Sequence, residues 1–466
     1  VTAPIGFHSL STEYHDHRPT IEGEIPTWLS GTLVRNGPAR FEVGDRRVNH
    51  WFDGLAMLRR YAVDDGDLRY SNRFLRTAAY ADAMAGRLVG QFGTDTRGWR
   101  RILQTLSSLG VPDPTDNTNV HVARLDGEYV ALTEAPSRIA FDPETLSTQG
   151  QFSFDDELPE HMTAAHLVDD PHRDELVGFT TQFGRNPQYH LYRLGRHSRS
   201  RELIASIDAN GPAYIHDCSV TADHVVIVEP PLVLSVIRAL NPFSEGAIDM
   251  LDWQPDQGTR VIVVDRDTGE VVAEPTFGPA FTFHHVNAYV DGETVVLDLV
   301  EFSDGEIVDS MALAELDGDG FPAVPDAHLM RYRLDLDSNT LSRTRRYDGG
   351  MELPRVPRLI VGRKHRYAYG QATDRAGANG LVKVDCETGI AREWWQRGVY
   401  VEEPIPVQHP DADSEDDGVV LATALDTEAE RTSLLIFDAT TLDLQARAVL
   451  PHAEPFGFHG RFFRTT

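Results

Sequence analysis

The 466-residue sequence predicts an all-β fold, specifically a β-propeller. Three observations carry that expectation. Helical periodicity is scarce along the chain. Short β-rich runs recur between Asp, Gly and Pro turns, at residues 129–132 (YVAL), 225–228 (VVIV), 261–264 (VIVV), 295–297 (VVL) and 434–437 (LLIF). An Asp-led turn joining two such runs returns five times, opening at Asp142, Asp265, Asp337, Asp385 and Asp438. Asp caps its own turn and Gly tolerates positive φ, which suits these residues to the position. The last three turns are spaced 48 and 53 residues apart. That interval fits four-stranded propeller blades, whose repeats run to about 40–50 residues. The earlier turns are spaced more widely, so the blades are expected to be irregular, with long insertions on one face. A pair of two-sheet sandwiches is the alternative that the strands alone leave open. One domain covering residues 1–466 is expected.

Charge excludes several partners. Acidic residues number 72 against 43 basic ones, for a net charge of −29, and only Lys364 and Lys383 are lysines. Such a chain is repelled by phosphate backbones, so no nucleic-acid partner is expected. Hydrophobic residues at 41% are enough to bury a core, which excludes bulk disorder. Cys218 and Cys386 are the two cysteines, so no disulfide framework carries the fold and a reducing, cytoplasmic location is expected. The N-terminal residues 1–19 lack the apolar run of a secretory signal.

Two apolar segments break the β pattern, residues 102–111 (ILQTLSSLGV) and 231–243 (PLVLSVIRALNPF). Each reads either as a helix buried over the core or as an apolar lip that dips into a bilayer.

Nineteen histidines are present, and most sit among charges, as His15, His17, His172, His197 and His365 do; these read as solvated. Four differ. His166, His216, His284 and His459 each stand in or after an apolar or aromatic stretch, where a buried imidazole needs a partner. Singly, each also fits a hydrogen-bonded core histidine. Separations of 50, 68 and 175 residues place the four on different blades, whose innermost strands converge on one axis. Four neutral imidazoles there would suit a first-row metal with open positions left for small ligands. Glu134, Glu352 and Glu403, each in an apolar, proline-bounded setting, could take the second N–H of such ligands and offset the ion's charge. Each also fits an exposed strand end. No arrangement for Ser-His-Asp catalysis is visible.

Longer motifs carry a resemblance. Residues 31–38 (GTLVRNGP), 49–58 (NHWFDGLAML), 115–120 (TDNTNV), 283–289 (FHHVNAY) and 457–460 (GFHG) resemble the carotenoid cleavage oxygenase family over nearly the whole chain. The resemblance implies a seven-bladed propeller, with insertions forming a cap over an axial Fe(II). It implies His166, His216, His284 and His459 as iron ligands and Glu134, Glu352 and Glu403 as the carboxylates behind three of them, leaving His166 without one. The order of pairing stays open, and His285 is expected to pack. The implied chemistry is scission of a polyene double bond by O2 into two carbonyl products, with no side chain acting as acid or base.

Substrate is read within that resemblance. Family members that cleave phenolic stilbenes are similar in carrying a Lys just before the first of these glutamates and a nearby Tyr. Here Thr133 and Phe92 stand at those positions and mark candidate walls of the substrate tunnel. An apolar polyene is therefore expected. The chain is most similar to the β-carotene oxygenase and retinoid isomerase branch around residues 41–44, 73–77 and 115–117. It departs from that branch at residues 93–97 (GTDTR), which stand where a Pro-Asp-Pro-Cys-Lys loop would be, and in lacking the branch's anchoring cysteines. The leading expectation is central 15,15′ cleavage of β-carotene to retinal. Eccentric or apocarotenoid cleavage and polyene isomerisation are the alternatives, and a non-catalytic propeller that binds a lipid or protein is a distant one. The apolar segments 102–111 and 231–243 fall where the family places a membrane-dipping entrance, so peripheral membrane contact is expected.

Overall fold

A computed structural model describes residues 3–87, 92–93, 115–235, 238, 246–316 and 325–465. The predicted apolar segment 102–111 lies outside the described residues.

Among the described residues, the strands group into seven antiparallel blades in chain order, apart from two two-stranded ribbons. Blade 1 orders Tyr14–His17, Asp67–Phe74, Leu55–Asp64, Gly31–Arg40 and Gly460–Arg464 side by side. Blade 2 begins with His121–Leu125, and blade 3 with Met162–Thr163 and Val168–Asp170. Blades 4, 5 and 6 begin with Ser219–Val220, His285–Asp291 and Met351–Arg355, and blade 7 with Val399–Val401 and Ile405–Gln408. Each then meanders outward through further strands. Blades 6 and 7 are joined by a single parallel bridge between Asn379 and Tyr400.

The two ends of the chain close the ring. The C-terminal strand pairs with the first blade, Gly31 opposite Arg464 and Arg35 opposite Gly460. The second strand, Thr20–Gly23, pairs with Leu444–Val449 at the outer edge of blade 7. Closure is also visible in the packing, because each pair of adjacent blades shares its own apolar layer. Val226, Val228, Val261 and Val263 of blade 4 meet Val295, Leu297 and Tyr332 of blade 5. Leu33, Tyr61 and Tyr70 of blade 1 meet Leu421, Leu434 and Ile436 of blade 7. Sheets covered on both faces need continuous apolar strands, which is why runs such as VVIV do not alternate.

Four of the five predicted turns open where expected. Asp142, Asp265, Asp385 and Asp438 each accept backbone N–H bonds from residues two and three ahead. The third turn opens at Asp335 rather than Asp337, since Asp335 takes the Ser338 N–H. The fifth residue of every such turn has positive φ: Leu146, Gly269, Asn339, Gly389 and Leu442. Asn339 marks the shift of two residues, which the Asp-rich stretch DLDSN concealed.

Two other expectations change. Residues 232–234 of the second apolar segment form a strand, Leu232–Leu234, paired with Leu251–Trp253. His365, placed among solvated histidines, is buried against Asp298 at 2.8 Å, and Arg331 grips the same carboxylate at 2.8 and 2.6 Å. Its charged sequence neighbours, Lys364 and Arg366, point outward while the ring points in.

A candidate metal centre on the propeller axis

The heads of the first strands meet at one point. His459 stands immediately before the Gly460–Arg464 strand and His284 immediately before His285–Asp291. His216 precedes Ser219–Val220, and His166 precedes Val168–Asp170. One nitrogen from each of these four buried imidazoles lies within 4.8 Å of the others. Residues up to 293 positions apart in the chain thus share one site because the blades are radial.

Three carboxylates fix three of the rings. His216 Nδ1 is 2.5 Å from Glu134, His284 Nδ1 is 2.6 Å from Glu352, and His459 Nδ1 is 2.9 Å from Glu403. Each Nδ1 therefore carries the proton and donates it, which leaves Nε2 as a lone pair aimed at the axis. His284 Nε2 and His459 Nε2 face each other at 3.3 Å. Buried His166 Nε2 has no hydrogen-bond partner. Facing lone pairs repel, and an orphaned buried acceptor costs about 1–3 kcal/mol. A cation among the four nitrogens removes both penalties, so this donor set fits a metal ion.

The carboxylates are themselves held. Glu134 takes the Tyr214 hydroxyl at 3.0 Å. Glu352 lies in a bulge of the Met351–Arg355 strand, where Leu353 has φ of 50° and donates its own N–H back to Glu352. Glu403 receives Gly460 N–H at 2.7 Å and two guanidinium bonds from Arg355 at 2.8 and 2.5 Å. Burial would raise the Glu403 carboxyl, but Arg355, His459 and Arg35 hold it well below the usual carboxylate range. Burial lowers His216, yet Glu134 outweighs it and lifts that ring above its ordinary value. Burial pushes His459 down to about 3, so it is neutral.

The longer motifs of the sequence turn out to be scaffolding for this site. Asn36 donates to the carbonyls of Thr118 and His121, and its N–H reaches the His459 carbonyl at 2.8 Å. Arg35 donates to the Glu403 and Phe458 carbonyls. Asp53 accepts from the backbone of Phe92 and Gly93, and Asn117 and Asn119 both donate to the Gly54 carbonyl. His285 packs beside the site, its Nδ1 at 3.0 Å from Ser219 Oγ.

Beside the four imidazoles lies a cavity of about 1040 Å³, walled largely by aromatic and apolar side chains such as Trp51, Phe52, Phe183, Phe283 and Phe302. Its volume sits at the upper end of the range for small-molecule sites. Phe92 and Thr133 line it, as do His216, His284 and His459. Leu234, Met250 and Leu251 bring the neighbourhood of the second apolar segment to its wall.

A fifth imidazole escaped sequence reasoning. His121 heads the first strand of blade 2, as the four others head theirs. It stacks on His459 with centroids 5.4 Å apart and planes 18° apart, and meets His166 edge-on. Its place between Val120 and Val122 was the available signal. Arg355 Nη2 lies 3.2 Å from its Nε2 and occupies the lone pair that a metal would need.

Comparison with known proteins agrees with this architecture. Residues 7–464 match the family model described as Retinal pigment epithelial membrane protein. Carotenoid cleavage dioxygenase 8, chloroplastic, of Arabidopsis thaliana is 31% identical, over 98% of this chain and 85% of that one. Beta,beta-carotene 15,15′-dioxygenase of Rattus norvegicus is 27% identical, over 96% and 88%. A solved variant of Synechocystis apocarotenoid oxygenase superposes with a TM-score of 0.88 at 26% identity, covering 99% of this chain and 98% of that one. A cobalt-substituted form of that enzyme gives 0.87, also at 26% identity and with the same coverage. The chain belongs to the carotenoid cleavage oxygenase family, and the curated relatives it matches here are dioxygenases.

Proposed function

We propose that this chain is a non-haem Fe(II) dioxygenase that splits a carotenoid double bond with O2. The observation that carries the reading is the convergence of four buried imidazoles, three of which line a large apolar cavity. His166, His216, His284 and His459 would hold the iron, and Glu134, Glu352 and Glu403 would orient three of those ligands. Bound there, iron supplies activation of O2 for addition across an alkene. The protein contributes position and dryness. The aromatic wall takes an uncharged polyene out of water, and Thr133 and Phe92 place neither a cation nor a phenol beside it. No acid or base is required of a side chain.

The specific reading is central 15,15′ cleavage of β-carotene to retinal, supported by the likeness to the rat β-carotene enzyme. A second reading, cleavage of an apocarotenoid, is supported by the TM-score of 0.88 with the Synechocystis enzyme. Mass spectrometry of the products from β-carotene and from an apocarotenal separates them. Retinal from β-carotene supports the first, and cleavage of the apocarotenal alone supports the second. Loss of neither substrate overturns both.

Entry from a membrane surface belongs to the same reading, supported by Leu234, Met250 and Leu251 on the cavity wall. Among the described residues no helix is long and apolar enough to cross a membrane. Co-sedimentation with neutral phosphatidylcholine vesicles tests it. A net charge of −29 makes anionic lipid the poorer partner, so binding only to anionic vesicles would contradict it.

A further inference from the structure

Glu403 differs from the other two site carboxylates. Among the described residues no arginine or lysine pairs with Glu134 or Glu352, whereas Arg355 grips Glu403 directly and Arg35 lies 3.7 Å away. Both Arg355 bonds land on Oε1, the same oxygen that accepts from His459. A guanidinium left to itself prefers the two-pronged fork, one N–H to each carboxylate oxygen. Here it does not adopt that fork. Gly460 N–H occupies Oε2, and His121 Nε2 holds Arg355 Nη2 at 3.2 Å.

Arginine can only donate, so His121 Nε2 is an acceptor and the ring is neutral. Its Nδ1 then carries the ring proton, beside the Val122 backbone, whose carbonyl and N–H both lie 2.7 Å away. Asn36 anchors that backbone through the His121 carbonyl. The His459–Glu403 bond, with its oxygen shared three ways, is also the longest of the three at 2.9 Å.

Resting on the iron reading above, we infer that His121 is a positioning residue: it aims Arg355 at Glu403 Oε1 and so makes His459 the least basic of the carboxylate-backed ligands. A less basic ligand with a cation behind it favours Fe(II) over Fe(III). Freed from His121, the guanidinium pivots towards the fork, Oε1 takes the His459 proton more strongly, and Fe(III) is favoured.

The test is a redox titration of the iron-loaded chain, followed by the EPR signal of Fe(III). Arg355→Gln raises the Fe(III):Fe(II) ratio at the wild-type midpoint roughly tenfold, which is about 59 mV for one electron. His121→Phe, which keeps a ring on His459 but removes the acceptor, shifts the ratio in the same direction by a smaller step. His121→Gln, which restores an acceptor, returns it towards wild type. The double variant His121→Phe/Arg355→Gln matches Arg355→Gln alone, because the two act through one contact. An unmoved midpoint in His121→Phe with wild-type iron content, or additive shifts in the double variant, overturns the inference. Should His121→Phe fail to fold, an unmoved midpoint in Arg355→Gln overturns it equally. A wild-type chain that takes up no iron fails the functional reading instead, which keeps the two apart.

Discussion

His284 and His459, 175 residues apart in the chain, bring their Nε2 atoms to 3.3 Å, each with its proton held on the far nitrogen by a glutamate. Two acceptors at that separation have no reason to approach except a shared cation. The pair also carries the fold's logic. His284 heads the first strand of blade 5, and His459 heads the strand that closes blade 1, so the pairing that closes the ring also places His459 at the site.

On the proposed function, the carboxylates are expected to set metal affinity. Glu134→Gln keeps the shape of the side chain but weakens the acceptor for His216. Losing such an outer partner costs about 10–100-fold in metal affinity. Competition with a chelating dye, using Co(II) as the probe, measures it. Unchanged affinity would remove Glu134 from the account.

The adjacent histidines divide their roles. His284→Gln is expected to abolish stoichiometric metal binding. His285→Gln is expected to retain it, with a stability loss of about 1–3 kcal/mol from the contact to Ser219. Metal analysis of the two purified variants checks the assignment.

Much of this site was legible in the sequence, for a physical reason. An imidazole or carboxylate inside an apolar run must find a partner, so His166, His216, His284, His459, Glu134, Glu352 and Glu403 stood out against their neighbours. Which glutamate serves which histidine was not legible, because it depends on how blades abut: Glu134 of blade 2 reaches His216 of blade 4. His365 misled because its chain neighbours are charged, although its ring turns inward from the loop before the Tyr367–Arg375 strand to meet Asp298. His121 lay in an apolar run like the rest, but its role rests on Arg355, which is 234 residues away.

Away from the axis, Asp298 compensates two buried groups, Arg331 and His365. Asp298→Ala leaves them unpaired, and breaking a buried pair of this kind costs about 3–5 kcal/mol. Denaturant unfolding should show that loss while metal content per folded chain stays at the wild-type value.

On the proposed function, the cavity wall is expected to set substrate class. Thr133→Lys places an ammonium beside Glu134 and the apolar cavity. It would both compete for Glu134 and charge the wall. We predict at least a tenfold fall in kcat/KM for a carotenoid, roughly 1.4 kcal/mol of lost transition-state binding. Thr133→Val, close in shape and uncharged, is expected to stay near wild type.

The central claim is oxygenative scission of a polyene at the four-histidine site. Incubating the iron-loaded chain with a carotenoid under 18O2, with brief acid-free extraction and mass spectrometry, tests it most directly. Two carbonyl fragments that together contain the whole carbon skeleton, each bearing one labelled oxygen, are the expected products. Intact carotenoid after exposure to a chain carrying one iron per molecule would contradict it.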